Sequence, residues 1–164
     1  MSEKKAVIYL LFTVYCLLLC ACAFPRIIVL DDPLSPEEHL NLGVTYEKKG
    51  ELDNALKEYK EASKKLPAAY NYIGNIYFQK DEFDMAESYY KKSISKNPKN
   101  ADAHNNLAWL YFIEKKNLDE AERLSLKAIE LNPAKKDVYQ DTLEKIRELS
   151  TNWNLTRGAN SIYK

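Results

Sequence analysis

The feature that most narrows what this chain can fold into is a set of columns that recur first after 31 residues and then after 34 or 35. Gly43 recurs as Gly74 and Ala108, and Tyr46 as Tyr77 and Tyr111. Ala55, Ala86 and Ala121 form a third column, Tyr59, Tyr90 and Ser125 a fourth, and Ala62, Ser93 and Ala128 a fifth. Pro67, Pro98 and Pro133 close the units. Self-similarity at a period of a few tens of residues marks a stacked-repeat architecture. Each unit has an apolar face that only the next unit can bury.

Each unit reads as a helical hairpin. The small residues at 43, 74 and 108 are expected to face those at 55, 86 and 121, because paired helices approach closely only where side chains are small. The turns read Lys49-Gly50-Glu51, Lys80-Asp81-Glu82 and Lys116-Asn117, which suit helix ends and tight turns. The first interval is three residues short around Lys65-Leu66-Pro67-Ala68, and the third turn has one extra residue near Glu114 to Leu118. After Pro133, Val138, Leu143, Ile146 and Leu149 form an apolar stripe opposite a charged face, as a terminal cap requires. Asp141-Thr142-Leu143 looks like the start of a further unit. The last stretch, from Ser150, is polar and is expected to be loosely ordered.

The columns carry a family resemblance. His39…Leu42-Gly43…Tyr46, Tyr70…Ile73-Gly74…Tyr77 and His104…Leu107-Ala108…Tyr111 match the first-helix pattern of the tetratricopeptide repeat. Ala55…Tyr59…Ala62 and its counterparts match the second helix. The resemblance implies an all-α solenoid of the TPR helical-hairpin type, with three repeats (36–66, 67–100 and 101–135) and a C-terminal capping helix (136–149), then a polar tail (150–164).

The N-terminus is a different kind of segment. Lys4 and Lys5 precede a nearly unbroken apolar run from Ala6 to Ala23, the layout of an export signal. All three cysteines, Cys16, Cys20 and Cys22, fall within it, so no disulfide framework or CxxC metal pair serves the repeats. Leu19-Cys20-Ala21-Cys22 resembles the lipobox of bacterial lipoproteins. That resemblance implies a signal peptide over 1–21, lipidation of Cys22, and a linker to residue 35. An uncleaved membrane anchor or a plain secretory signal fits the same run. All three readings put the repeats outside the cytoplasm, and the lipobox reading puts them in the cell envelope, on the outer membrane or the periplasmic side of the inner one.

Chemistry is sparse. With 24 basic and 24 acidic residues the formal net charge is zero, which gives no field for nucleic acid. No HExxH, GxSxG, P-loop or calcium-loop motif occurs. His39 and His104 share a repeat column in separate repeats, where packing outweighs metal binding. No enzyme, cofactor, metal or small-molecule substrate is expected. In the resembled family the first helices of successive repeats line a groove that holds a protein or peptide segment. Column by column, the groove here consists of Leu40, Val44, Glu47, Asn71, Asn75, Phe78, Asn105, Trp109 and Phe112. Members that clamp a terminal carboxylate use lysines and arginines, whereas Leu40, Val44, Asn105 and Trp109 stand in those columns. The expected function is a membrane-tethered, non-enzymatic interaction scaffold, with envelope or pilus and secretion assembly as settings. A non-catalytic subunit of an envelope enzyme and a self-associating lipoprotein are the alternatives.

Overall fold

A computed structural model describes residue 7, residues 13–15 and residues 33–161 of the chain. The chain divides into two compact units, Met1–Pro33 and Leu34–Lys164. In the first unit, Val7 and Thr13–Tyr15 are helical and exposed. Cys22 and the rest of the expected lipobox lie outside the described residues. No helix among the described residues is long and apolar enough to cross a membrane.

The second unit is all helix, with no strand among the described residues. In chain order it holds α1 (Pro36–Lys48), α2 (Leu52–Ser63), α3 (Ala69–Gln79), α4 (Phe83–Lys96), α5 (Ala101–Ile113), α6 (Leu118–Leu131) and α7 (Lys136–Ser161). A short 3₁₀ turn, Pro133–Lys135, precedes α7. Helices α1/α2, α3/α4 and α5/α6 pair as hairpins, and each hairpin packs on the next, with α7 against α5 and α6. This is the expected three-repeat solenoid with a terminal helix.

Local signals set the helix ends. Ser35 and Glu38 form a capping box at the start of α1: Ser35 Oγ accepts from Glu38 N–H at 3.2 Å, and Glu38 Oε2 accepts from Ser35 N–H at 2.7 Å. Asn100 caps α5 by accepting from Ala103 N–H at 3.1 Å, and its amide donates to the buried Ser93 hydroxyl at 3.1 Å. The hairpin turns reverse direction through left-handed residues: Gly50 at φ 76°, Asp81 at φ 58°, and both Lys115 and Asn117 at φ near 50°. The second left-handed residue accommodates the extra position of the third turn.

The shortage before the second repeat falls on α3. This helix begins only at Ala69 and has 11 residues against 13 in α1 and α5. The chain enters it through successive three-residue turns, Ala69 N–H to Leu66 C=O, Tyr70 to Pro67 and Asn71 to Ala68. No side chain caps it.

At the hairpin crossing the glycines meet an aromatic ring. A Cβ built on Gly43 would meet the Tyr59 ring at 2.5 Å, and one on Gly74 would meet the Tyr90 ring at 2.5 Å. The glycines make room for an aromatic ring one helical turn beyond Ala55 and Ala86. In the third repeat the same two columns hold Ala108 and Ser125, both fully buried. Gly and Tyr change together to Ala and Ser, so the clash between a Cβ and a ring does not arise there.

The stripe of α7 also shifts. Val138 is exposed, while Tyr139, Thr142, Leu143 and Ile146 are buried. The third repeat is one residue longer, so α7 follows α5 at a step of 35. Tyr139 then takes the His104 column, and Leu143 takes the small-residue column of Gly43, Gly74 and Ala108. Helix α7 continues to Ser161, well past Leu149, where the apolar stripe ends.

The ring-over-glycine contact has a thermodynamic test. Gly74→Ala is expected to cost about 1–3 kcal/mol by overpacking. In a Tyr90→Ser background the same change is expected to stabilise by up to ~1 kcal/mol, the usual helix gain of alanine over glycine. A double-mutant cycle by urea denaturation checks the change of sign.

Candidate interaction groove

The groove columns belong to α1, α3 and α5, the first helix of each hairpin. Leu40, Val44, Phe78 and Phe112 are half-buried and pack against the core. Their apolar area is largely committed to the fold. Glu47 is a joint between repeats: Tyr59 OH donates to its Oε2 at 2.6 Å, and Gln79 Nε2 donates to its Oε1 at 2.6 Å. Burial, and then the hydrogen bond to Glu47, push the Tyr59 hydroxyl well above its usual range, so it stays a neutral donor.

The asparagines form a second joint. Asn106 Nδ2 donates to Asn71 Oδ1 at 3.2 Å and to Asn75 Oδ1 at 3.0 Å, and Tyr90 OH donates to Asn75 Oδ1 at 3.0 Å. Burial, with the Glu47 charge added, raises the Tyr90 hydroxyl too. Asn71 is therefore buried and used in stacking repeat two on repeat three. Asn105 turns inward as well and is 8% exposed. Its neighbour Asn106 reaches the groove in its place, because one residue along a helix rotates the side chain by about 100°.

Trp109 is half-buried, with its ring 5.0 Å from that of Phe112. It lines a cavity of about 270 Å³ with Asn75, Phe78, Gln79, Tyr90 and Asn106. Lys145 of α7 sets its ammonium 5.3 Å from the Trp109 ring centroid and also pairs with Asp141 at 2.6 Å. Gln79, the Tyr90 hydroxyl and Lys145 were not among the expected groove residues. Asn106 stands 34 residues after Tyr72, outside the expected groove columns, and Lys145 comes from the helix that follows the third repeat, so the column pattern signalled neither. A second cavity, about 380 Å³, opens beside the short start of α3, near Ala68, Tyr72 and Asn100.

The two histidines are apart and occupied. His39 Nδ1 lies 2.7 Å from Glu58 Oε2, and His104 Nδ1 lies 2.8 Å from the Asn100 carbonyl oxygen. Both are buried. No group of three or more metal-ligating side chains occurs among the described residues.

Away from the groove, Glu87 of α4 ties repeat two to repeat three. It accepts from Lys91 at 2.6 Å and from Tyr111 OH at 2.9 Å, and it pairs with Lys116 at 2.9 Å. Burial alone would raise its pKa. Hydrogen bonds from Lys91, Lys116 and Tyr111 outweigh burial and bring it down to about 2.

Tetratricopeptide-repeat family models match residues 39–64, 67–100 and 89–123. The chain is a tetratricopeptide-repeat protein. Among curated relatives, human protein O-mannosyl-transferase TMTC2 is 36% identical over 101 residues, which cover 58% of this TPR chain and 12% of the relative. Human tetratricopeptide repeat protein 6 is 38% identical over 63 residues, covering 37% of the chain and 12% of the relative. The TPR chain thus spans about an eighth of the relatives it matches.

Among solved structures, the first TPR of Spaghetti (RPAP3) bound to the HSP90 peptide SRMEEVD superposes with a TM-score of 0.65 at 22% identity. It covers 73% of this chain and 96% of that one. The TPR2B domain of yeast Sti1 in complex with pHsp70 gives 0.63 at 21% identity, covering 69% and 96%. These likenesses show the TPR fold.

The Glu87 contacts set a pH dependence. A carboxylate with a depressed folded pKa contributes stability that is present above its unfolded value, 4.5, and lost as pH falls toward 2. Thermal melts of wild type and Glu87→Gln should therefore differ most at neutral pH, with wild type higher, and converge between about pH 4.5 and pH 2.

Proposed function

We propose that this TPR chain is a non-enzymatic scaffold that holds a segment of a partner protein in the groove of α1, α3 and α5. The observation that carries this reading is the Trp109 cavity. A large aromatic side chain stays half open over the cavity, with Phe78 beside it, while Leu40, Val44 and Phe112 pack against the core. Tryptophans placed in this way, beside amides and another aromatic, make recognition hot spots. The solved TPR domains of similar fold are complexes with an HSP90 peptide and with pHsp70, which supports a polypeptide as the partner class.

The setting proposed is the bacterial cell envelope. Leu19-Cys20-Ala21-Cys22 after a basic start and an apolar run supports acylation of Cys22 and a membrane tether. Several acyl chains, at about 0.8 kcal/mol per buried CH₂, hold a small domain to a bilayer. The repeats would then present their groove close to the membrane, where envelope, pilus or secretion machinery is assembled.

Two outcomes check these readings. Cys22→Ser should abolish incorporation of radiolabelled palmitate and release the protein into the soluble fraction; persistent membrane attachment would favour an uncleaved anchor. Trp109→Ala should weaken capture of the partner by about 2 kcal/mol with the fold intact by circular dichroism. Full capture by the variant would remove Trp109, and with it the groove, from the binding surface.

A further inference from the structure

The two ends of the solenoid differ in charge. Consecutive helices joined by short connections run antiparallel, so the loops between hairpins gather at one end and the turns within hairpins at the other. The loop end holds Lys64-Lys65-Leu66-Pro67-Ala68, Lys96-Asn97-Pro98-Lys99-Asn100 and Asn132-Pro133-Ala134-Lys135-Lys136. Each stretch has two lysines and no carboxylate. The turn end holds Lys48 to Asp53, Lys80 to Asp84 and Lys115 to Glu120, where carboxylates equal or outnumber lysines.

Ion pairing sharpens the difference. At the loop end Glu61 pairs with Lys64, Asp102 with Lys135 and Glu130 with Lys127. Among the described residues, Lys60, Lys65, Lys92, Lys96, Lys99 and Lys136 have no carboxylate at ion-pair distance, and all six are exposed. Lys60 and Lys92 lie over tyrosine rings. Fewer carboxylates at this end lack a lysine: Glu37, Glu38 and Asp137. At the turn end Lys80 and Lys116 are each shared between two carboxylates.

The course of the chain selects what the loop end meets. Ser35 caps α1 at this end, so the segment leading back to the apolar run leaves from here. That run ends at Ala23, and the dozen residues to Ser35 reach roughly 40 Å at full extension. The linker adds Arg26, Asp31 and Asp32, one net negative charge, which leaves the lysines in excess. An anionic bilayer attracts lysines that come within a Debye length, about 8 Å at physiological ionic strength.

We infer that the loop end is a membrane-facing surface, whose lysines lie against anionic phospholipid headgroups and stand the helices upright on the bilayer. The carboxylate-rich turn end points away. Phe78, which lines the Trp109 cavity, then stands about 14 Å farther from the headgroups than Ala69 at the start of α3. The inference rests on the membrane-tether part of the proposed function and adds an orientation to it.

The test reconstitutes the full chain in vesicles of phosphatidylcholine, with or without phosphatidylglycerol. Lysines are labelled with an amine-reactive ester and read one by one by mass spectrometry. Lys65, Lys96, Lys99 and Lys136 should label about threefold or more slowly on the anionic vesicles, and high salt should remove the difference. Lys49 and Lys115, at the turn end, should label equally on both. A variant carrying Lys65→Glu, Lys96→Glu, Lys99→Glu and Lys136→Glu should still float with the vesicles and keep its circular dichroism, while Lys64 and Lys135 lose their protection. Equal labelling on the two kinds of vesicle, or protection of both ends alike, would overturn the inference and leave the tether reading standing. A wild-type chain that does not float with either vesicle removes the tether reading, and the orientation with it.

Discussion

Two glycines set how near the paired helices come. At Gly43 and Gly74 the missing Cβ lets a tyrosine ring from the second helix lie directly on the first-helix backbone. This contact places the two phenols so that their hydroxyls emerge on the groove side. There Tyr59 meets Glu47 and Tyr90 meets Asn75. Those acceptors in turn bind Gln79 and Asn106 from the following repeat. Packing inside one hairpin is thus transmitted by hydrogen bonds to the stacking of the next. The groove floor is the surface on which the two meet.

The third repeat shows what changes when that contact is absent. Ala108 and Ser125 are buried at the crossing with no ring between the helices, and no phenol reaches the groove from α6. The end of the groove is furnished instead by α7, whose Lys145 lies over Trp109. The repeats are similar as packing units and different as surfaces. Aromatic and amide groups gather between α3 and α5, which is where the cavity forms.

Most of the fold was legible because repeat packing leaves periodic marks. Small residues, tyrosines and prolines recur at fixed columns, and the helices follow them. The groove was less legible, because a column fixes a position along a helix but not the direction of a side chain within about 100°. Asn105 and Asn106 show this: adjacent amides, one turned into the core and one onto the cavity. Val138 and Tyr139 show the same limit, since the extra residue in the turn before α6 moves the register of α7 by one. The partners of the tyrosine hydroxyls lie in other helices, and no spacing within one repeat reveals them. The extension of α7 to Ser161 left no apolar periodicity to read, because its final turns are largely polar.

Leu143 occupies the column where each earlier repeat has glycine or alanine, so no ring can lie on the α7 backbone there as Tyr59 and Tyr90 lie on α1 and α3. Helices α3, α5 and α7 touch in succession; at about 8–10 Å between packed helices, that row measures on the order of 16–20 Å. An extended chain covers about 3.3–3.6 Å per residue, so a segment laid across these three helices spans roughly four to six residues.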